Sequence, residues 1–177
     1  AAACGFTGCA RAPDARQAKV REIRALVDAS RLEQAEQAAR ELLSGLEERD
    51  PPSLLRAEVL DLLVESLWKQ GKAGQGEILT LANAAVRTRE RLQGPDHRDL
   101  AGSLNNLAMT LYRRGDYGGA KPVCARALAI QERAVGPADL SLVKYLNNCA
   151  VLHWETGDYA RARPAFELLK ERVAANT

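Results

Sequence analysis

One sequence pattern occurs twice at a fixed interval. Residues 103–120 read SLNNLAMTLYRRGDYGGA, and residues 145–162 read YLNNCAVLHWETGDYARA. Two adjacent asparagines, an alanine two residues after them and a Gly-Asp-Tyr return in step, 42 residues later (103 to 145). A repeat of this length predicts a stack of equal structural units rather than one irregular core.

Each copy of the pattern predicts a helical hairpin. Leu104, Leu107, Ala108 and Leu111 are spaced i, i+3, i+4 and i+7, so they share one face of a first helix. The alanine is small because the partner helix is expected to cross there. Gly115 is expected to end this helix with a positive φ angle.

The second helix of the hairpin has its own signals. Asp116 is a candidate N-cap, Tyr117 is expected to pack across the turn, and Ala120 is expected to meet Ala108 at the crossing. Pro122 is assigned to the first turn, where no backbone donor is lost. Because one hairpin cannot bury its own apolar faces, several hairpins must stack into a superhelix.

The rest of the chain extends this organisation. Proline and glycine stops such as Asp50-Pro51-Pro52, Gly94-Pro95 and Gly136-Pro137 divide it into units. We predict a flexible N-terminal tail over residues 1–13 and an array over residues 14–177. The array has eight helices in four hairpins, at about 14–47, 54–92, 98–134 and 140–175.

The repeat resembles the tetratricopeptide repeat. The segments LNNLA, GDY and ALAIQER, the Gly-Pro linkers and the 42-residue interval are similar to the kinesin-light-chain type of that repeat. The resemblance is strong over 96–170, fair over 54–95 and weak over 14–47. It implies an all-α fold, a right-handed superhelical solenoid of about four hairpins, and a protein-interaction scaffold rather than a reaction.

The resemblance also implies that the first helix of each hairpin lines a concave surface. Asparagine amides there could hold the main chain of a peptide, and aromatic rings could supply apolar contacts. The alternative is that the asparagines, Asn106 and Asn148 above all, fix the packing of neighbouring repeats. The candidate groove residues are Asp61, Glu65, Trp68, Asn105, Met109, Tyr112, Arg113, Asn147, Val151 and Trp154.

Charge narrows the ligand class. Glu58, Asp61 and Glu65 argue against a clamp for a C-terminal carboxylate, while Arg113 and Lys144 lie further along, so we expect a groove that is acidic at one end and basic at the other. A peptide of mixed charge with an apolar anchor fits this expectation. The 25 basic and 23 acidic residues are dispersed, which argues against nucleic-acid binding.

The sequence contains no motif for catalysis. It lacks a Gly-rich phosphate loop, a His-Glu-x-x-His and a Gly-x-Ser-x-Gly, so we predict neither an enzyme nor a cofactor. His97 is expected to cap a turn, and His153 is expected to be a packed or hydrogen-bonded core residue.

Four cysteines raise a question of redox state. Cys124 and Cys149 fall on helices that should touch, and two buried thiols are expected there rather than a disulfide. Cys4 and Cys9 could form a small loop in an oxidising compartment. No second ligand pair has the spacing of a metal site, so no metal is predicted.

The N-terminal segment suggests alternatives for function. AAACG resembles the end of a bacterial lipoprotein signal, which makes Cys4 a candidate for lipidation; a secretory cleavage site and a plain flexible terminus are the other interpretations. The leading hypothesis is a scaffold that binds a peptide or partner subunit in its concave groove. The alternatives are an exported, lipid-anchored assembly subunit of a bacterial envelope complex, or the sensor part of a longer protein. Localisation stays open between the periplasmic side of the envelope and the cytoplasm.

Overall fold

The computed structural model describes residues 15–46 and 53–174, which form eight α-helices and no strand. The all-α prediction is therefore confirmed. None of the described helices has both the length and the apolar character needed to cross a membrane. The helices are α1 (Ala15–Asp28), α2 (Leu32–Gly45), α3 (Leu54–Lys69), α4 (Gly76–Gln93), α5 (Arg98–Arg113), α6 (Tyr117–Val135), α7 (Val143–Glu155) and α8 (Tyr159–Ala174).

Consecutive helices pair into four hairpins, which we number 1 to 4. Short 3-10 turns at Lys72–Gly74 and Leu140–Leu142 precede α4 and α7. The Ser53 hydroxyl caps α3 by accepting a hydrogen bond from the amide of Arg56 at 3.2 Å. The predicted tail with Cys4 and Cys9, and the predicted stop at Asp50-Pro51-Pro52, lie outside the described residues.

One left-handed residue separates the two helices of every hairpin. The φ angles are 57° at Ser30, 77° at Gly71, 81° at Gly115 and 74° at Gly157. Glycine adopts this conformation without strain, whereas Ser30 carries a side chain into it. These four residues align the hairpins, so every position on α1, α3, α5 and α7 has an equivalent on the other three helices.

The structure confirms most of the predicted hairpin contacts. Ala108 and Ala120 are 2% and 0% exposed where α5 and α6 cross, and the Asp116 carboxylate accepts a hydrogen bond from the amide of Gly119 at 2.9 Å. The assignment of Pro122 was wrong, because α6 begins at Tyr117 and the proline is its sixth residue. It therefore removes one helical hydrogen bond, to the carbonyl of Gly118, a residue that is exposed to solvent.

The hairpins stack because each first helix fits between the two helices of the hairpin before it. A continuous apolar cluster runs from Val20 in α1, through Leu62 and Ile78, to Tyr145 in α7. A smaller cluster joins hairpins 3 and 4 around Ala108, Cys124 and Cys149 in α5, α6 and α7. We call α1, α3, α5 and α7 the inner helices, and α2, α4, α6 and α8 the outer helices.

A disulfide links hairpin 3 to hairpin 4. It joins Cys124 in α6 to Cys149 in α7, and the two Cα atoms lie 5.7 Å apart. The expectation of two buried thiols was wrong, because the fit of α7 against α6 brings the two backbones within the range that a disulfide requires.

Arginine side chains connect successive hairpins along their outer edge. Arg40 pairs with Glu77, Arg126 lies 2.6 Å from Glu90, and Arg133 lies 2.6 Å from Asp96. All six side chains are at least one-third exposed. We call these three pairs the outer ties.

The two histidines have structural contacts. His97 is the N-cap of α5, and its Nδ1 accepts a hydrogen bond from the amide of Asp99 at 3.2 Å, which confirms the predicted capping role. His153 is half-buried, and its Nδ1 lies 3.2 Å from an Asp158 carboxylate oxygen as an ion pair without hydrogen-bond geometry.

Candidate peptide-binding groove

The inner helices line a concave cavity of about 530 Å³, which we call the groove. All four inner helices contribute to its wall, whereas the outer helices contribute only Arg89 and Gln131. The polar and charged wall residues from the inner helices include Arg24, Glu58, Asp61, Glu65, Arg98, Asn105, Lys144 and Tyr145. Leu54 and Leu55 add an apolar surface.

The groove uses an earlier part of the inner helices than the sequence predicted. Asp61, Glu65 and Asn105 are predicted residues that do line it. The lining extends towards the helix N-termini, through Glu58 and its equivalents Gly102 and Lys144. The other predicted residues lie outside the lining, namely Trp68, Met109, Tyr112, Arg113, Asn147, Val151 and Trp154.

The three predicted aromatic residues contact other parts of the array. The half-buried Trp68 donates from Nε1 to Oδ1 of Asn106 at 3.4 Å, across to the next hairpin. The ring of Tyr112 lies 5.8 Å from that of Tyr117. Trp154 packs edge-on against Tyr159 at 4.9 Å. These side chains come from the last turn of their inner helices, where the neighbouring helices rather than the groove are within reach.

The remaining predicted residues have separate places. Met109 is buried at 8% exposure, and Val151 is half-buried. The guanidinium of Arg113 lies 5.9 Å from the ring of Tyr112 and is exposed to solvent. Asn147 is also exposed.

A buried polar cluster forms the floor of the groove. Asp61 is 7% exposed, and its Oδ2 accepts hydrogen bonds from Nε of Arg89 at 3.1 Å and from the Ser103 hydroxyl at 2.7 Å. Burial raises the pKa of Asp61 to about 6, against the opposing effects of Arg89 and Ser103. Because its carboxylate is engaged by the chain itself, Asp61 shapes the groove rather than offering a free charge.

The asparagines connect neighbouring hairpins. Nδ2 of Asn106 donates to the backbone carbonyl of Asp61 at 3.0 Å, and Nδ2 of Asn148 donates to Oδ1 of Asn105 at 2.9 Å. Asp61 and Asn105 are equivalent positions, so both bonds run from one inner helix to the aligned residue one hairpin earlier. This geometry supports the packing interpretation for Asn106 and Asn148. Asn105 keeps its Nδ2 without a partner among the described residues and lines the groove.

Three cations line the groove without an ion pair in the described part of the chain. They are Arg24, Arg98 and Lys144. Glu58 is likewise unpaired there, whereas Glu65 lies 2.6 Å from Lys69. Lys144 lies 4.9 Å from the ring of Tyr145; desolvation lowers the pKa of Lys144 and raises the pKa of Tyr145 to about 12. The charges are therefore interspersed, not separated into an acidic and a basic end.

The sequence prediction missed Arg24, Arg89 and Arg98. Arg89 lies on an outer helix, and Arg98 is in the first turn of α5, outside the repeated motif. Arg24 has a signal in hindsight: aligned through the left-handed Ser30, it is equivalent to Glu65 of the groove.

The fold and the groove define this chain as a superhelical solenoid of tetratricopeptide-type hairpins. A family model of the tetratricopeptide repeat matches residues 99–171, which comprise hairpins 3 and 4. Repeats of this family generally mediate protein–protein interactions. No curated protein sequence matches the chain.

Solved structures of kinesin-light-chain-like repeat proteins share the fold. BtubC (BKLC) from P. vanneervenii superimposes with a TM-score of 0.73 at 21% identity, over 93% of this chain and 66% of that one. A Podosopora anserina protein described as a kinesin light chain with nearly identical TPR-like repeats gives 0.69 at 16% identity, over 90% of this chain and 73% of that one. At these identities the likeness concerns the fold.

Proposed function

We propose that this chain is a non-catalytic interaction scaffold that holds an extended segment of another protein in its groove. The observation that carries the proposal is the groove itself, an open concavity with a self-satisfied polar floor and walls that keep unused polar groups. Its volume of about 530 Å³ falls in the usual range of ligand sites.

The wall residues suggest how a peptide would be held. Nδ2 of Asn105 carries donors for a peptide carbonyl, independent of the peptide sequence. Leu54 and Leu55 offer an apolar contact for one anchor side chain. The three unpaired cations favour acidic side chains in the ligand, and the unpaired Glu58 favours one basic side chain. A mixed-charge peptide with an apolar anchor remains the best description of the ligand.

Gly102 provides a selective test. It faces the groove from α5, and a Cβ atom built on it meets no atom within 4 Å. Gly102→Leu would place a side chain in the groove without disturbing the packing. Replacing a glycine within a helix should also stabilise the fold by roughly 0.5–1 kcal/mol. We therefore expect lost partner binding together with an unchanged or higher melting temperature.

The matched control is Gly76→Leu. Gly76 is an exposed residue of α4 that also has nothing within 4 Å of a Cβ atom, and it lies outside the groove lining. Affinity capture from the source cells with the intact chain and both variants supplies the measurement. Proteins retained by Gly76→Leu but lost with Gly102→Leu are groove ligands. Identical captured sets for all three chains would refute the proposal.

A further inference from the structure

The last hairpin repeats the surface on which its predecessors hold a helix. α7 lies against α5 and α6, where Cys149 and Leu152 are 7% and 3% exposed. The residues beneath it on hairpin 3 are Asn105, Tyr112, Cys124 and Ala127. Their equivalents on hairpin 4 are Asn147, Trp154, Phe166 and Leu169. With the adjacent Tyr159 and Leu168, these residues make up what we call the C-terminal face.

The C-terminal face is open where the inner equivalents are covered. Asn147 is exposed, whereas Asn105 is 7% exposed. Trp154 is 55% exposed, whereas its equivalent Trp68 is half-buried under α5. Cys124 is 2% exposed, and Phe166 is half-exposed in its place. Contiguous exposed apolar side chains of this kind mark interaction surfaces.

We propose that the C-terminal face docks an amphipathic α-helix of a partner protein, laid between α7 and α8 as α7 is laid between α5 and α6. The interface would continue a geometry that the chain already uses three times. The helical geometry is specific, because the face presents polar groups at the positions where the inner hairpins use theirs.

The polar groups define one residue of the partner helix. Oδ1 of Asn147 and Nε1 of Trp154 have no hydrogen-bond partner within residues 15–46 and 53–174. At the inner levels a single type of residue meets such groups: Asn148 donates to Asn105, and Asn106 accepts from Trp68. The partner helix should therefore carry an amide side chain that donates to Asn147 and accepts from Trp154.

The apolar groups define its neighbours. Phe166 and Leu169 are larger than their equivalents Cys124 and Ala127, so a docked helix must lie further out or present smaller side chains. We assign an alanine-sized residue to the partner position that Cys149 occupies on α7, one residue after the amide. The remainder of the buried stripe is apolar, as at Leu152.

A second copy of this chain fits the face less well. Head-to-tail stacking would bring α1 of the next copy against it. The α1 positions equivalent to Asn148 and Cys149 are Arg21 and Glu22, both exposed and charged. Burying this pair against Phe166 would cost desolvation that the face does not repay. The occupant is therefore a helix of another protein.

The experiment uses the intact chain and a labelled helix as the probe. The probe is a fluorescein-labelled peptide of residues 139–156 carrying Cys149→Ala, held helical by a lactam bridge on its solvent side. Fluorescence anisotropy should show saturable binding. Trp154→Ala and Leu168→Glu in the protein should each weaken binding at least tenfold, and Asn148→Ala in the peptide should also weaken it.

Tyr117→Ala is the matched control, because Tyr117 is the equivalent of Tyr159 on hairpin 3 and is 38% exposed. It should bind like the unchanged protein, and circular dichroism should show equal helicity for all variants. Three results would overturn the proposal: no saturable binding up to millimolar peptide, equal weakening by Tyr117→Ala, or a dimer in light scattering that Leu168→Glu dissociates. The last result would assign the face to a second copy.

Discussion

Two neighbouring interfaces in this array share a geometry and differ in chemistry. Between hairpins 2 and 3, Asp61, Arg89 and Ser103 form a buried network of charge and hydrogen bonds. Between hairpins 3 and 4, the disulfide of Cys124 and Cys149 stands in the same layer of the array. We call these the ionic seam and the disulfide seam.

The comparison shows that the repeated backbone does not dictate how a seam is stabilised. Both seams retain one asparagine bond between aligned positions, donated by Asn106 in one and by Asn148 in the other. Around that shared bond, the ionic seam depends on protonation and the disulfide seam on redox state. Each can therefore be weakened without touching the other.

Removing the buried acid should have the largest effect on this comparison. Asp61→Ala leaves Arg89 buried without its main partner, which we expect to cost about 4 kcal/mol of unfolding free energy. Urea denaturation followed by circular dichroism gives the value. Glu65→Ala, one turn further along α3 in a half-buried pair with Lys69, is the control and should cost less than about 1 kcal/mol. Equal losses would show that the ionic seam is not special.

Breaking the disulfide should have the next largest effect. The bond closes a segment with a sequence separation of 25, so loop-closure entropy predicts a loss of about 3 kcal/mol in the double variant Cys124→Ser, Cys149→Ser. The double variant isolates this bond from Cys4 and Cys9. Hydrogen exchange should accelerate in α7 and α8 while α3 stays protected. Uniform acceleration over all helices would contradict the independence of the two seams.

Acidity should act on the ionic seam alone. The pKa of Asp61 is about 6 in the folded chain against a model value of 3.8, so the folded state keeps this proton at a pH where the unfolded state has released it. The stabilising contribution is full below 3.8 and is lost as the pH rises through about 6. Relative to Asp61→Asn, the unchanged protein should gain stability as the pH falls through this window. Unfolding titrations at both ends of the window measure the difference; a constant difference would remove the protonation argument.

The shared asparagine bond should have the smallest effect. Asn148→Ala removes one partly buried hydrogen bond and leaves Oδ1 of Asn105 near the groove, where water can replace the donor. We expect a loss of about 1 kcal/mol. Thermal melting of this variant in the presence and absence of the disulfide tests whether the two contributions add, as the comparison requires.

The sequence was sufficient for the fold because its signals were local. Gly115 and Gly157 mark the two helix ends, and Ala108 and Ala120 mark a close crossing, so each hairpin could be predicted from its own residues. The disulfide could not, because it depends on the distance between two backbones in different hairpins.

The groove was only partly predictable for a related reason. Equivalence between repeats correctly grouped Asp61 with Asn105, but it did not show which turns of the inner helices face the cavity. That depends on how far each inner helix is covered by the next. Trp68 looked like a groove residue from its spacing, and its indole instead reaches Asn106 on the following hairpin.

The outer ties have a consequence for the mechanics of the array. The inner edges of the hairpins meet through apolar packing, which salt does not weaken, whereas the outer edge is joined by exposed charge pairs such as Arg126 with Glu90. Raising the ionic strength therefore loosens one side of the coil and leaves the other intact. The superhelix behaves as a spring with an ionic outer edge, and its radius of curvature becomes a function of the salt around it.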